Sequence, residues 1–262
     1  MLLSPFLEHL YAKYNTQEYI KTDPIFFPHT FDGNREFIAF TSALFAYGNV
    51  KAMQNFLKEY FNTAGVNPLE LEPKGEIKYR FQSAEDVREY SAVMKKLYKD
   101  YASIENLFLL SSREGLYNAA ERAFYKIHSD YLPKKKSHGL NFLFAVPNRS
   151  ASKRVNMFLR WMLRSDEVDL GLWKGGFNKS ELSIPLDTHI QRLCGNLGVI
   201  GETEKASAAL KKVNAFFAEL SPDDPAKYDF ALTRLGITMG CQYRLSLACT
   251  LCEERGVCAF KG

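Results

Sequence analysis

A lysine and an aspartate, Lys153 and Asp187, have side chains that together could act on a carbon atom that gains positive charge during a reaction. Lys153 begins an apolar pattern at helical spacing, and a first helical turn favours the neutral form of an amine. A neutral lysine amine is a nucleophile, and a nearby carboxylate can stabilise a developing cation. Asp187 follows Pro185 and precedes an amphipathic segment, which predicts a helix N-cap. Taken singly, the two residues are more simply explained as a solvated lysine and a plain helix cap.

A second group of reactive side chains consists of four cysteines in the last 22 residues. Their spacing is C-x7-C-x2-C-x5-C, and the fifth cysteine, Cys194, stands apart on a predicted helix. Four thiolates this close in an intracellular chain are typical of a metal site, because four cysteines suit tetrahedral zinc or an iron–sulfur cluster. Thiols without a metal are the third possibility. The four candidate ligands are Cys241, Cys249, Cys252 and Cys258.

The composition allows a nucleic-acid-binding protein without requiring one. The chain has 262 residues, 46% of them hydrophobic and 14% aromatic, which suits one large or two small domains with a substantial core. The net charge of +4 indicates a mildly basic surface. No apolar run approaches the roughly 20 residues of a membrane span, and the N-terminus does not have the pattern of a signal peptide. We therefore expect a cytoplasmic, nucleoid-associated protein with free thiols and no membrane partner.

The elements that position these residues are predicted to be helices throughout. No alternation typical of a β-strand is longer than four residues, and the glycine-rich loops of a nucleotide-binding fold are missing. The fold class is therefore predicted to be all-α. Besides the segments that follow Lys153 and Asp187, apolar residues recur at helical spacing over residues 1–21, 35–60, 84–102, 103–111, 114–130 and 206–220, and residues 228–235 are predicted to form a further short helix.

Two short motifs resemble those of the helix-hairpin-helix DNA glycosylase superfamily, which includes endonuclease III and the 8-oxoguanine glycosylases. Residues 153–159, Lys-Arg-Val-Asn-Met-Phe-Leu, are similar to the helix that begins with the catalytic lysine of that superfamily. Residues 186–192, Leu-Asp-Thr-His-Ile-Gln-Arg, are similar to the cap that holds its catalytic aspartate. The cysteine spacing is similar to the C-x6-C-x2-C-x5-C loop that binds a [4Fe–4S] cluster in endonuclease III. The hairpin departs from the pattern, because residues 146–152 lack the glycines of Leu-Pro-Gly-Val-Gly.

The resemblance implies a two-lobed, helix-hairpin-helix glycosylase-like fold with a C-terminal cysteine-ligated metal loop. One lobe would be a central helical bundle of residues 39–150, and the other would comprise residues 1–38 and 151–262. The implied activity is that of a bifunctional DNA glycosylase and AP lyase in base excision repair. Lys153 would attack the sugar C1′ and form a Schiff base, while Asp187 stabilises the positive charge on the sugar. The cysteine loop would hold a [4Fe–4S] cluster, with zinc or no metal as alternatives.

The implied partner is double-stranded DNA that contains a damaged base, bound by a monomer. The long interval between Lys153 and Asp187 favours 8-oxoguanine, whereas the cysteine loop favours oxidised pyrimidines. Met157 would line the base pocket, and Tyr47 and Asn49 would probe the opened base pair, although Asn49 could instead belong to a simple turn. Phosphate contacts would come from the hairpin, the residue after Lys153 and a basic loop that could also be a solvated face: Asn148, Arg149, Ser150, Arg154, Lys134, Lys135 and Lys136.

Two rival functions stay open. A non-catalytic helix-hairpin-helix DNA-binding protein would explain the glycine-free hairpin. A zinc-stabilised helical adaptor would explain the cysteines without any role for nucleic acid. The contexts of Lys153 and Asp187, which match the catalytic motifs, favour the enzyme.

Overall fold

A computed structural model describes residues 3–147, 152–201 and 203–260. Every regular element in these ranges is helical, apart from isolated β-bridges between Tyr79 and Gln82 and between Ser165 and Leu170. The predicted all-α class is therefore confirmed. None of the described helices is both long enough and apolar enough to span a membrane.

The α-helices of the described ranges are α1 Leu3–Tyr14, α2 Phe26–Thr30, α3 Arg35–Leu44, α4 Val50–Ala64, α5 Ala84–Tyr101, α6 Ile104–Ser111, α7 Leu116–Lys126, α8 His138–Leu143, α9 Lys153–Leu163, α10 Thr188–Asn196, α11 Ala206–Leu220 and α12 Asp229–Thr238. Short 3-10 turns lie at Gln17–Thr22, Lys179–Glu181, Leu247–Thr250 and Glu253–Gly256, and α7 continues into a π-helical turn at Ile127–Tyr131.

The chain divides into two compact units, each with a buried apolar core. The terminal unit comprises the described residues of Met1–Tyr19, Arg149–Leu170 and Asn178–Gly262, so it contains α1 and α9–α12. The middle unit comprises the described residues of Ile20–Asn148 and Gly171–Phe177 and contains α2–α8. Lys153, Asp187 and the C-terminal cysteines all belong to the terminal unit.

The core of the middle unit is strongly aromatic. Phe45, Tyr60 and Tyr90 are fully buried, and the rings of Phe45 and Tyr90 meet edge to face with their centroids 5.3 Å apart. Aromatic side chains bury large areas and prefer such edge-to-face pairs, so they contribute much of the stability of this unit. α5 runs through it and begins with a capping box, in which Ser83 and Asp86 each accept a bond from the other's backbone N–H.

The core of the terminal unit forms around α12, which packs against both α1 and α10. α1 presents one apolar face to this core through Phe6, Leu10 and Tyr14, as its helical spacing predicts. α12 contributes Leu232 and Leu235 from its own apolar face. Two helices far apart in sequence thus depend on the position of α12.

A buried network of ion pairs ties α9 to α12. Arg160 contacts both Asp169 and Asp229, and Asp229 is the first residue of α12. Arg164, at the end of α9, contacts Asp169 and two further aspartates, Asp166 and Asp224. Removing one partner of a buried ion pair leaves a charge without compensation, at a cost of about 3–5 kcal/mol. The network therefore holds α9 in a fixed place on the unit.

Candidate active site

Lys153 is the first residue of α9, and its side chain is exposed. Ser152 before it has a left-handed backbone with φ 36° and makes no side-chain cap. The next turn of the helix buries Val155 and Phe158 in the terminal unit. The lysine amine is therefore carried at the surface by a helix whose own position is fixed by packing.

Asp187 is the N-cap of α10, as its sequence context predicts. Its Oδ1 accepts hydrogen bonds from the backbone N–H groups of His189 and Ile190, both at 2.9 Å. Its Oδ2 accepts only a long bond, 3.5 Å, from the Thr233 hydroxyl among the described residues. One oxygen of this half-buried carboxylate thus caps the helix, and the other is held by a single long contact.

Asp229 shows that Lys153 and Asp187 lie in one neighbourhood. Burial raises the pKa of Asp229 to about 7, and the guanidinium of Arg160 opposes this rise. The negative charge of Asp187 raises the same pKa further, whereas the positive charge of Lys153 lowers it. Both candidate catalytic groups are therefore near enough to act on one buried carboxyl.

The pKa of His189 is influenced by the same two charges, those of Asp187 and Lys153. Burial lowers the pKa of its imidazole, Asp187 opposes this, and the positive charges of Arg192, Arg234 and Lys153 lower the pKa further. The imidazole is consequently neutral at physiological pH. Its Nδ1 is buried and has no hydrogen-bond partner in the described part of the chain.

The contribution of α12 to this site was not predicted from the sequence. Asp229, Thr233 and Gly236 lie at positions i, i+4 and i+7, so they share one face of the helix. This face, the positioning face, contacts Arg160 through Asp229 and Asp187 through Thr233. The signal that could have identified this face was the helical spacing of its polar and small residues.

The three side chains of the site suit nucleophilic chemistry. An exposed amine, a carboxylate with one loosely held oxygen and a neutral imidazole are gathered in the terminal unit. An amine attacks electrophilic carbon, and a carboxylate stabilises the positive charge that develops there. These are the functional groups that covalent catalysis by a lysine amine uses.

The other predicted contact residues of the terminal unit are only partly accessible. Arg154 is half-buried, and Met157 is 8% exposed, so Met157 lies largely within the core. Asn156, between them, is fully buried. The predicted phosphate contacts Asn148, Arg149 and Ser150 lie outside the described residues.

Tyr47 and Asn49 lie in the middle unit and have different surroundings. The ring of Tyr47 is stacked on that of Phe81 at 5.9 Å, and the guanidinium of Arg80 lies over both rings. Asn49 caps α4 by accepting a bond from the Ala52 N–H at 3.1 Å, which agrees with the simple-turn interpretation. The three lysines of the basic loop precede α8, with Lys134 and Lys135 exposed and Lys136 half-buried.

The C-terminal cysteines are free thiols, and three of them act electrostatically on the fourth, Cys241. Burial raises the pKa of Cys241 to about 11, and the charges of the other three cysteines of the cluster raise it as well. The Sγ atoms of Cys241 and Cys258 each accept a backbone N–H bond of 3.3 Å, from Tyr243 and Phe260 respectively. No three His, Cys, Asp or Glu side chains of the described ranges are arranged as a metal-binding group. Cys194 is fully buried in the core.

A buried glutamate joins the cysteine loop to α1. Glu254 lies between the last two cysteines of the cluster, is 2% exposed and accepts bonds from His9 at 2.6 Å, Lys13 at 2.6 Å and Tyr14 at 2.9 Å. Burial alone would raise the pKa of Glu254, but the bonds from Lys13, His9 and Tyr14 hold it below its ordinary value. The C-terminal loop is thus anchored to the first helix by a charged hydrogen-bond cluster.

Comparison with known proteins corrects one prediction. Residues 23–238 match the model of the family described as "Protein of unknown function (DUF2400)", and no curated protein and no solved structure matches the chain. The predicted membership of the helix-hairpin-helix DNA glycosylase superfamily is therefore wrong. Both motifs behind it mark helix starts, where the residue preferences follow from backbone N–H groups that every helix presents. Since the match covers most of its length, including Lys153 and Asp187, the chain belongs to the DUF2400 family.

Proposed function

We propose that the protein is a bifunctional DNA glycosylase with AP lyase activity, in which Lys153 is the nucleophile and Asp187 stabilises positive charge. The observation that carries this proposal is that the charges of Lys153 and Asp187 act on the same two groups, Asp229 and His189. Both residues begin helices of one packed unit, and groups held by helices keep a more constant geometry than groups held by loops.

The proposed chemistry follows from these two side chains. Lys153 Nζ would bond to the sugar C1′ as the bond from C1′ to the base breaks, and the base would leave with the electron pair and take up a proton. The Asp187 carboxylate would stabilise the positive charge of the sugar in the transition state. An amine proton would then move to the ring oxygen as the sugar opens to an iminium. Loss of a C2′ proton would expel the 3′ phosphate and nick the strand.

DNA is proposed as the substrate on the basis of charge. The chain has a net charge of +4, the loop of residues 134–136 presents consecutive lysines, and Arg154 follows the nucleophile directly. Cationic side chains bind phosphates and release their counterions, largely without regard to sequence. We propose double-stranded DNA with a damaged base, bound by a monomer, with 8-oxoguanine as the first candidate base and oxidised pyrimidines as the second.

The cysteine cluster is proposed to bind a [4Fe–4S] cluster, with zinc as the alternative. The three other thiols of the cluster act electrostatically on Cys241 and raise its pKa, and a bound cation would relieve the repulsion between thiolates. Backbone N–H bonds to Cys241 and Cys258 are of the kind that tunes sulfur ligands in metal sites. A bound metal would hold the C-terminal loop together. Anaerobic purification followed by iron and zinc analysis and a visible spectrum near 400 nm distinguishes the two metals.

A non-catalytic DNA-binding protein is the second candidate. One observation favours it: one oxygen of Asp187 accepts two backbone N–H bonds from α10. This capping role explains an aspartate at position 187 without any catalytic function. In that case Lys153 would contribute only its charge to phosphate binding. The two candidates differ in whether a covalent bond to DNA forms.

Borohydride trapping tests the enzyme directly, because it reduces a Schiff base to a stable bond. Full-length protein is incubated with duplexes that contain 8-oxoguanine, an oxidised pyrimidine or an abasic site, and trapped complex is measured with time. Lys153→Gln is expected to abolish trapping. Lys205→Gln is the matched control, since Lys205 is an exposed lysine at the start of α11 in the same unit. Absence of trapping by the parent protein on all three duplexes would favour the binding protein.

A further inference from the structure

We propose that α12 is the positioning element of the active site, and that the Thr233 hydroxyl orients the oxygen of Asp187 that faces the substrate. The expected effect of Thr233 on the reaction rate rests on the proposed function, whereas its effect on the orientation of the Asp187 carboxylate does not. The positioning face of α12 meets the site at Asp229, Thr233 and Gly236, which lie on successive helical turns, and each contacts a different group.

Thr233 is the only residue of the positioning face that contacts the candidate catalytic carboxylate in the described structure. Its Oγ1 donates to Oδ2 of Asp187 at 3.5 Å, while Oδ1 is already committed to the two N–H groups of α10. A carboxylate held at one oxygen alone can still rotate about the bond to Cβ. The second contact restricts that rotation, so Oδ2 is kept in one direction without being saturated with hydrogen bonds.

Gly236 provides the space in which His189 lies. A Cβ atom at position 236 would come within 2.1 Å of His189 Nδ1 and 2.7 Å of the Tyr243 hydroxyl. Contacts this short are not possible, so the backbone of α12 lies directly against the imidazole. His189 is the second residue of α10, and its backbone N–H donates to Asp187. The close approach of α12 therefore fixes the first turn of α10 and, with it, the cap.

Asp229 completes the positioning face at the start of α12. It binds Arg160, which lies two helical turns after Lys153 on α9. The ion pair is buried on both sides, with side-chain exposures of 4% and 7%. α12 thus contacts both the helix that begins with Lys153 and the residue that caps α10, Asp187. These contacts fix the positions of Lys153 and Asp187 relative to each other.

Thr233→Val tests the proposal with a change that keeps the shape of the side chain and removes the hydroxyl. The expected result is a fall of about five-fold in the single-turnover rate of trapping at saturating protein, as for loss of one weak hydrogen bond to a carboxylate. The dissociation constant for DNA should not change, because the Thr233 hydroxyl bonds to Asp187 and, within the described ranges, to none of the residues proposed to bind phosphate. Thr233→Ser should restore the rate, since serine retains the hydroxyl.

Thr238→Val is the matched control. Thr238 is on the same helix, and its hydroxyl bonds to the Arg234 carbonyl at 2.8 Å rather than to the site. The Thr238→Val variant should trap DNA at the same rate as the parent protein. If Thr233→Val also traps at the parent rate, or if Thr233→Ser does not restore a lowered rate, Thr233 does not orient Asp187.

Amide hydrogen exchange separates this proposal from the proposed function. In Thr233→Val the N–H groups of His189 and Ile190 should exchange faster, because a rotating carboxylate caps them less well, and in Thr238→Val they should not. This result is expected even if the parent protein traps no DNA, in which case the proposed function fails and the positioning face stands. Unchanged exchange in Thr233→Val would overturn the positioning role.

Discussion

Replacing Asp229 with asparagine is expected to change how the stability of the protein depends on pH. Four aspartates share two arginines in the buried network, so the network has more negative than positive charge. Burial, aided by the charge of Asp187, raises the pKa of Asp229 from 3.8 to about 7 in spite of Arg160. The folded protein therefore holds this proton more tightly than the unfolded chain does.

The sign and size of the effect on stability follow from the difference between the pKa of Asp229 in the folded protein and in the unfolded chain. A raised carboxyl pKa gives stability that is fully present below pH 3.8 and is lost as the pH rises to about 7. Since one pKa unit corresponds to about 1.4 kcal/mol, Asp229 should lower the free energy of unfolding by about 4 kcal/mol over this window. Asparagine does not ionise, so the variant should not show this fall. The free energy of unfolding of Asp229→Asn minus that of the parent should therefore rise between pH 4.5 and pH 7.5, on top of a loss from the altered Arg160 contact that does not vary with pH.

Guanidinium unfolding followed by circular dichroism at several pH values measures this difference. Asp166→Asn is the matched control, since it makes the same substitution in the same network. Burial alone would raise the pKa of Asp166, but the backbone N–H groups of Asp169 and Val168 and the charge of Arg164 lower it to about 2. That carboxylate stabilises the fold above pH 3.8, so its variant should be less stable by a constant amount from pH 4.5 upward. Parallel stability curves for Asp229→Asn and the parent would refute the reasoning.

Three further predictions concern other parts of the molecule. Glu254→Gln should lower Tm by about 2–4 °C at neutral pH, since it weakens the bonds to Lys13 and its neighbours, and the difference should disappear as the pH falls well below 4.5. Cys194 should not react with an aromatic disulfide reagent until the protein unfolds, because it is fully buried and burial raises its pKa to about 12; reaction in the native state would contradict this burial. Alanine at residues 134–136 should reduce the slope of log affinity for DNA against log salt by about 2–3 without changing the trapping rate at saturating protein, and an unchanged slope would exclude phosphate contact.

Helix positions and helix caps were predictable from the sequence because they depend on interactions between residues that are close together in the chain. The apolar pattern of residues 206–220 corresponds to α11, and Asp187 caps α10 as expected. Asn49 also follows local preference, since its side chain caps α4. In each case the side chain and the backbone it acts on are within a few residues of each other.

The part of the site formed by α12 was not predictable in this way. The contacts of Asp229 with Arg160 and of Thr233 with Asp187 join residues that are far apart in sequence, and no periodicity encodes which helices pack together. The position of His189 similarly depends on the missing side chain of Gly236 on another helix. The family assignment was wrong for the opposite reason: it relied on short helix-start motifs, which local preferences can produce in unrelated helical proteins.

Locating the covalent bond tests the central claim most directly. The parent protein is trapped with borohydride on a short duplex that contains 8-oxoguanine or an abasic site, then digested with nuclease and protease, and the modified peptide is sequenced by mass spectrometry. The reduced sugar should be attached to Lys153, on a peptide that contains the start of α9. Attachment to another lysine or to the N-terminal amine would contradict the claim that Lys153 is the nucleophile of this site.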